Sequence, residues 1–137
     1  MAKYFTFGEM LASEVAEDNA IENIPDWESI DNLRNLTERV LEKVREVWGK
    51  PIYVNSGYRC EKLNRLVGGA VNSQHKIGKA ADITTGSIEG NKRLFALVEQ
   101  SDIEFDQLID EYGYQWLHIS YDAMKAIQRR QVLHLTR

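Results

Sequence analysis

Between Pro25 and Gly49, apolar residues recur at three- and four-residue steps: Ile30, Leu33, Leu36, Val40, Leu41, Val44, Val47 and Trp48. Such a recurrence lays one apolar stripe along an α-helix, and that stripe is stable only when another surface covers it. Pro25 precedes the stripe, and Gly49 followed by Pro51 stops it. Any fold for this chain therefore contains a long core helix, with Trp27 folded over its start and Trp48 packed at its end, and a layer for it to lie on. The stripe is core, not a cofactor box.

The layer comes from downstream. Ile52-Tyr53-Val54 reads as a short strand ending in a Ser56-Gly57 turn, and Ala80-Ala81-Asp82-Ile83 as a second strand. Phe105 to Glu111 and Tyr114 to Tyr121 read as an antiparallel hairpin joined at Tyr112-Gly113, and Gln131 to Leu135 as a final strand. Further helices are expected from Phe7 to Asp18, where Thr6 and Glu9 have capping-box spacing, from Glu61 to Leu66, and from Asn91 to Gln100. Helices lead and strands follow, without the alternation of a parallel sheet, so the class is α+β, helices packed on a mainly antiparallel sheet. A chain of 137 residues fits one domain, 1–137.

Composition removes several function classes. One cysteine, Cys60, excludes an internal disulfide, an iron–sulfur cluster and a zinc site made of cysteines alone, and it reads as a small buried thiol. No run approaches the roughly 18–20 apolar residues of a membrane span, and acids stand where a signal peptide needs its apolar stretch, so a soluble chain made in the cytoplasm is expected, with no membrane partner. The net charge of −4 argues against nucleic acid as a partner. Residues 49–88, however, carry 6 bases and 2 acids within this acidic chain. That segment either attracts an anionic ligand or is a solvated face.

Function is expected between Gly68 and Gly86, a stretch rich in Gly, Ser, Asn and Lys. Two histidines stand out. His75 precedes Asp82 by seven positions, and a turn at Gly78 would bring the two to one point. His118 lies in a strand where Trp116, His118 and Ser120 share a face. A catalytic zinc takes three nitrogen or oxygen ligands and keeps one position open, and His75, Asp82 and His118 supply such a set. Taken alone, the spacing more often describes two surface histidines and a helix-capping or turn aspartate. His134 has no motif around it and is given no role.

The wider pattern resembles a family. Ser73-x-His75-x-x-Gly78-x-Ala80-x-Asp82 matches the signature of the M15-type zinc D-Ala-D-Ala carboxypeptidase and dipeptidase superfamily, and Trp116-x-His118-x-Ser120 resembles its second histidine motif. Ser56-Gly57-Tyr58-Arg59, Leu63-Asn64, Val67-Gly68-Gly69, Phe105-Asp106-Gln107-Leu108-Ile109 and Arg129-Arg130-Gln131-Val132-Leu133 extend the likeness to the small phage and bacterial cell-wall branch, in order over about residues 4–135. The resemblance implies a hedgehog/DD-peptidase-like fold and a zinc peptidase, carboxypeptidase or endolysin-like endopeptidase, that cuts a bond next to a D-amino acid in peptidoglycan stem peptides. It implies His75, Asp82 and His118 as metal ligands and Arg59 as the group that steadies the oxyanion or grips a substrate carboxylate. Ser73, Ser120 and Trp116 fall at substrate-binding positions.

One position departs from the family. An acid three residues before the second histidine is common there, but this chain has Gln115, which takes no proton at neutral pH. A hairpin turn centred on Gly113-Tyr114 puts Glu111 opposite Trp116 and Ile109 opposite His118, so Glu111 lies diagonal to His118 on the same face and is the expected general base. Asp110 then points to the other face. Two other readings stand: a zinc-stabilised module that binds cell-wall peptide or a protein partner without cutting, and a cytosolic dipeptidase for free D-alanyl dipeptide. The chain is expected to act as a monomer, either in the cytoplasm or at the wall after phage-type release.

Overall fold

The computed structural model describes residues 2–136. The long helix forms as α3 (Trp27–Leu36) and α4 (Glu42–Trp48), joined without a break by one π-helical turn, Thr37–Leu41. Asp26 caps its start by accepting the Ser29 N–H, and Gly49, with φ of 75°, turns the chain out at its end. Leu33, Leu36, Val40, Leu41 and Val44 are fully buried, whereas Val47 is 43% exposed. Trp27 does not fold over the helix start. It is 83% exposed, and Trp48 is partly buried against the core.

At the N-terminus the expected single helix is two, α1 (Phe7–Leu11) and α2 (Glu14–Asp18). Thr6 and Glu9 form the capping box of α1, but Ser13 then accepts the Ala16 N–H and starts a second helix. The segment before α1 is tied to α4, since the Glu42 carboxylate accepts the N–H groups of Lys3, Tyr4 and Phe5. Then come α5 (Glu61–Leu66), a short 3-10 turn over Gln74–Ile77, and α6 (Ile88–Gln100). α6 starts earlier than its apolar spacing predicts because Ser87 caps it through the Gly90 N–H.

The strands are β1 (Tyr53–Ser56), β2 (Ala80–Thr84), β3 (Gln107–Glu111), β4 (Trp116–Ser120) and β5 (Gln131–Leu135). They form one sheet in the order β1-β2-β4-β3-β5. All pairs are antiparallel except β3 with β5, and the fold is α+β. Alternation sends Ala81, Ile83, Leu108, Leu117 and Ile119 into the core with the helix stripe and with Leu94, Phe95 and Val98 of α6. The opposite face carries Asp82, Ile109, Glu111 and His118. Among the described residues, no helix is long and apolar enough to cross a membrane.

Candidate active site

The site is built on the face of the sheet turned away from the helices. Asp82 lies on β2 directly opposite His118 on β4, and His118 in turn faces Ile109 on β3. His75 arrives from outside the sheet, on the 3-10 turn between α5 and β2. Ser73 starts that turn by accepting the His75 N–H at 3.2 Å. Gly78 ends it with φ of 76°, and a Cβ there would lie 2.5 Å from the Ser29 carbonyl oxygen, so only glycine lets the turn dock on α3. Asn32 donates to the Ile77 carbonyl at 2.7 Å, and the Arg59 N–H donates to the His75 carbonyl at 3.0 Å.

These supports bring His75, Asp82 and His118 together. His75 Nε2 and His118 Nδ1 each lie 3.3 Å from Asp82 Oδ1, and one ligand atom from each residue falls within 4.8 Å of the others. Asp82 and His75 are buried, and among the described residues Asp82 Oδ1 has no hydrogen-bond donor. His75 Nδ1 is 2.7 Å from the Gly57 carbonyl oxygen. A carbonyl only accepts, so the proton sits on Nδ1 and a bare lone pair on Nε2 points at Asp82. An unsatisfied buried carboxylate oxygen and a bare imidazole nitrogen aimed at one point fit a cation, and two imidazoles with one carboxylate are a zinc-type donor set. Burial pushes the Asp82 carboxyl up, but when the adjoining imidazoles carry a proton their charge and hydrogen bonds outweigh it and hold the group well below the usual carboxylate range.

Glu111 is half-buried on β3, opposite Trp116, with Oε2 3.9 Å from His118 Nδ1. Burial first, and the charge of Asp82 second, raise its pKa above the ordinary glutamate value. Gln115, by contrast, is exposed at the hairpin turn. Asp110 alternates to the other face, where it is buried and bonded by His134.

Arg59 is pinned on three sides: Nε to Ser56 Oγ at 3.0 Å, Nη1 to Asn64 Oδ1 at 3.0 Å and Nη2 to Asp82 Oδ2 at 3.5 Å. Gly69 allows this packing, since a Cβ there would lie 2.7 Å from Arg59 Nη1 and 2.1 Å from Asn64 Oδ1. Asn23 ties the preceding loop by bonding Leu11, Tyr58 and Cys60 backbone atoms. Cys60 itself is half-buried and makes no disulfide.

A cleft of about 640 Å³ opens over these groups, lined by Arg59, Gln74, Glu111, Trp116, His118 and Arg129 among others. Trp116 stacks near Tyr112, with ring centroids 4.9 Å apart, and forms part of the wall. Ser73 also lines the cleft, although its hydroxyl oxygen is engaged with the His75 backbone. Ser120 is fully buried, and its Oγ accepts the Gln107 N–H at 3.0 Å, which joins β3 to β4 beneath the cleft.

Two residues with no predicted role stand directly behind His118. Gln74 Oε1 lies 3.4 Å from His118 Nε2, and Gln74 Nε2 lies 3.1 Å from the fully buried Asp106 carboxylate. Arg129 grips that carboxylate through Nε and Nη2, both at 2.8 Å, and Lys125 adds a third contact at 3.2 Å.

The chain is also similar to known proteins. A zinc D-Ala-D-Ala carboxypeptidase from Streptomyces albus G is 50% identical to it over 48 residues, which cover 34% of this chain and 19% of that protein. The chain thus spans a minor part of that relative. A family model described as Peptidase M15 matches residues 3–120, which include His75, Asp82 and His118, and the chain belongs to the Peptidase M15 family.

Proposed function

We propose that this chain is a zinc-dependent peptidoglycan peptidase that hydrolyses a peptide bond next to a D-amino acid in stem peptides. The observation that carries the reading is the meeting of His75 Nε2, Asp82 Oδ1 and His118 Nδ1 beside Glu111 and Arg59 in one cleft. Family membership supports peptide-bond hydrolysis, and the activity named for the Streptomyces albus G relative supports a D-alanyl substrate. Residues 1–137 act in this reading as one peptidase domain, working as a monomer on a stem peptide.

His75, Asp82 and His118 hold the metal. When bound, zinc supplies a Lewis acid for the scissile carbonyl and acidifies water towards neutrality. Glu111, whose raised pKa suits a group that both takes and returns a proton, accepts a proton from the attacking water. As the carbon–nitrogen bond breaks, Glu111 hands that proton to the departing amine. Arg59 keeps part of its guanidinium free of protein partners and directs it to the developing oxyanion or a substrate carboxylate. Trp116 walls the cleft, and Ser73 holds the turn that carries His75.

A module that binds wall peptide without cutting it is the second reading, motivated by Gln115. The exposure of Gln115 and the place of Glu111 beside His118 weigh against it. Metal analysis of the purified chain together with mass spectrometry of digested peptidoglycan tests both. Zinc near one equivalent and new termini next to a D-residue are expected, and chelation should abolish them. Zinc uptake with intact peptidoglycan and intact D-alanyl dipeptide would favour the module.

A further inference from the structure

Asp106 is a fully buried acid that the proposed reaction does not use, and its partners come from three separate segments. Its N–H donates to the Ser120 carbonyl at 2.7 Å, its carboxylate receives Arg129 and Lys125 from the loop before β5, and Gln74 reaches it from the 3-10 turn. An ionised carboxylate accepts hydrogen bonds and donates none. The amide NH₂ of Gln74 must therefore face Asp106, because turning the amide over would set oxygen against oxygen. Gln74 Oε1 is then the end that faces His118 Nε2, at 3.4 Å. An amide oxygen also only accepts, so the proton of a neutral His118 ring belongs on Nε2. The bare lone pair is left on Nδ1, the atom that meets Asp82 and His75.

We propose that Gln74, oriented by Asp106, is a positioning residue that sets the tautomer and ring orientation of His118 for metal binding. The proposal rests on the metal-site reading above. His75 reaches the same state by a shorter route, through the Gly57 carbonyl. His118 sits mid-strand in a sheet whose carbonyls are occupied by ladder partners, so its outer nitrogen takes a side-chain acceptor instead. Arg129 and Lys125 keep Asp106 ionised, and with it the direction of the whole relay.

The test compares the full chain with Gln74→Met, which keeps the length and removes both hydrogen bonds, and with Gln74→Glu made together with Asp106→Asn, which keeps an acceptor for His118 and meets its other carboxylate oxygen with an amide donor. Zinc affinity is read without substrate, by competition with a chromophoric chelator. The ring nitrogens of His118 are read by ¹⁵N NMR of the metal-free protein. In the wild type, Nε2 should carry the proton. Gln74→Met should lose that signature and bind zinc roughly 10–100-fold more weakly, the usual cost of removing such a partner. The Gln74→Glu/Asp106→Asn pair should restore the signature and most of the affinity. Asp106→Asn, which lets either end of the Gln74 amide face it, should leave His118 in mixed tautomers.

Wild-type affinity and tautomer in folded Gln74→Met would overturn the proposal, as would a Gln74→Glu/Asp106→Asn pair no better than Gln74→Met. A wild-type spectrum in Asp106→Asn would overturn the part given to Asp106. If the wild type takes up no zinc, the metal reading itself has failed and this proposal falls with it. Equal uptake by wild type and Gln74→Met overturns this proposal alone.

Discussion

Glu111 and Asp106 are both acids in or near one cleft, yet their surroundings push them in opposite directions. Burial and the neighbouring Asp82 charge raise the pKa of Glu111, so in the proposed reaction it exchanges protons. Replacing it by Gln should lower kcat by about 10²–10⁴ while zinc content stays unchanged, as measured by muropeptide cleavage and metal analysis on one preparation. Asp106 is lowered instead, chiefly by the Arg129 hydrogen bonds, with Lys125 adding to them against its burial. A group depressed in the folded state stabilises above its unfolded value, near 3.9, and loses that contribution as pH falls through the folded one. Wild type and Asp106→Ala should therefore differ by about 2–3 kcal/mol near neutral pH, since charged hydrogen bonds are lost, and converge in urea melts as the pH drops below about 4. At this scale the convergence of His75, Asp82 and His118 was legible through the family-like motif around them, since their spacing alone describes surface histidines and a turn aspartate as well. So was the diagonal placement of Glu111, which follows from strand alternation and the position of Gly113. Gln74 was not, since a glutamine matters here only through an acid 32 positions away.

The elements show why the side chains of the proposed metal site are held so firmly. Two strands and one short turn carry them, and the turn is fastened to α3 through Gly78 and Asn32. Gly78→Ala adds a left-handed strain to a clash with the Ser29 carbonyl, so it should cost more than about 1 kcal/mol and weaken zinc binding, read by thermal melts with and without the ion. Leu41→Ala, at a fully buried position in the π-helical turn, should cost about 2–5 kcal/mol and leave the affinity of the remaining folded protein nearly unchanged. Helix periodicity revealed the core stripe but not the π turn within it, because one wide turn leaves apolar residues at ordinary three- and four-residue steps. The split of the first helix followed from a second cap at Ser13, a local competition that an apolar pattern does not record. Trp27 departs from its expected place for a related reason: bulk and aromaticity suggest burial, but at the first helical position it stands largely exposed.

For the whole molecule, the order of helices and strands was enough to give the α+β class, and turn residues gave the central hairpin. The parallel pairing of β5 with β3 was not legible, since a strand's own pattern does not name its neighbour or its direction. A metal that binds only the folded chain should stabilise it by about 2.7 kcal/mol at 100 times its Kd, raising Tm by roughly 10 °C for a domain of this size, and chelator should reverse the shift in calorimetry. The direct pairing of Asp82 with His118 across β2 and β4 carries a kinetic corollary. These two residues become neighbours only once the central strands have already zipped together, and until then the chain offers His75 and Asp82 alone. A clasp across that pair lengthens the lifetime of the native form, which stopped-flow traces with and without zinc would display as slower unfolding; an unchanged refolding speed would put the pairing after the rate-limiting step.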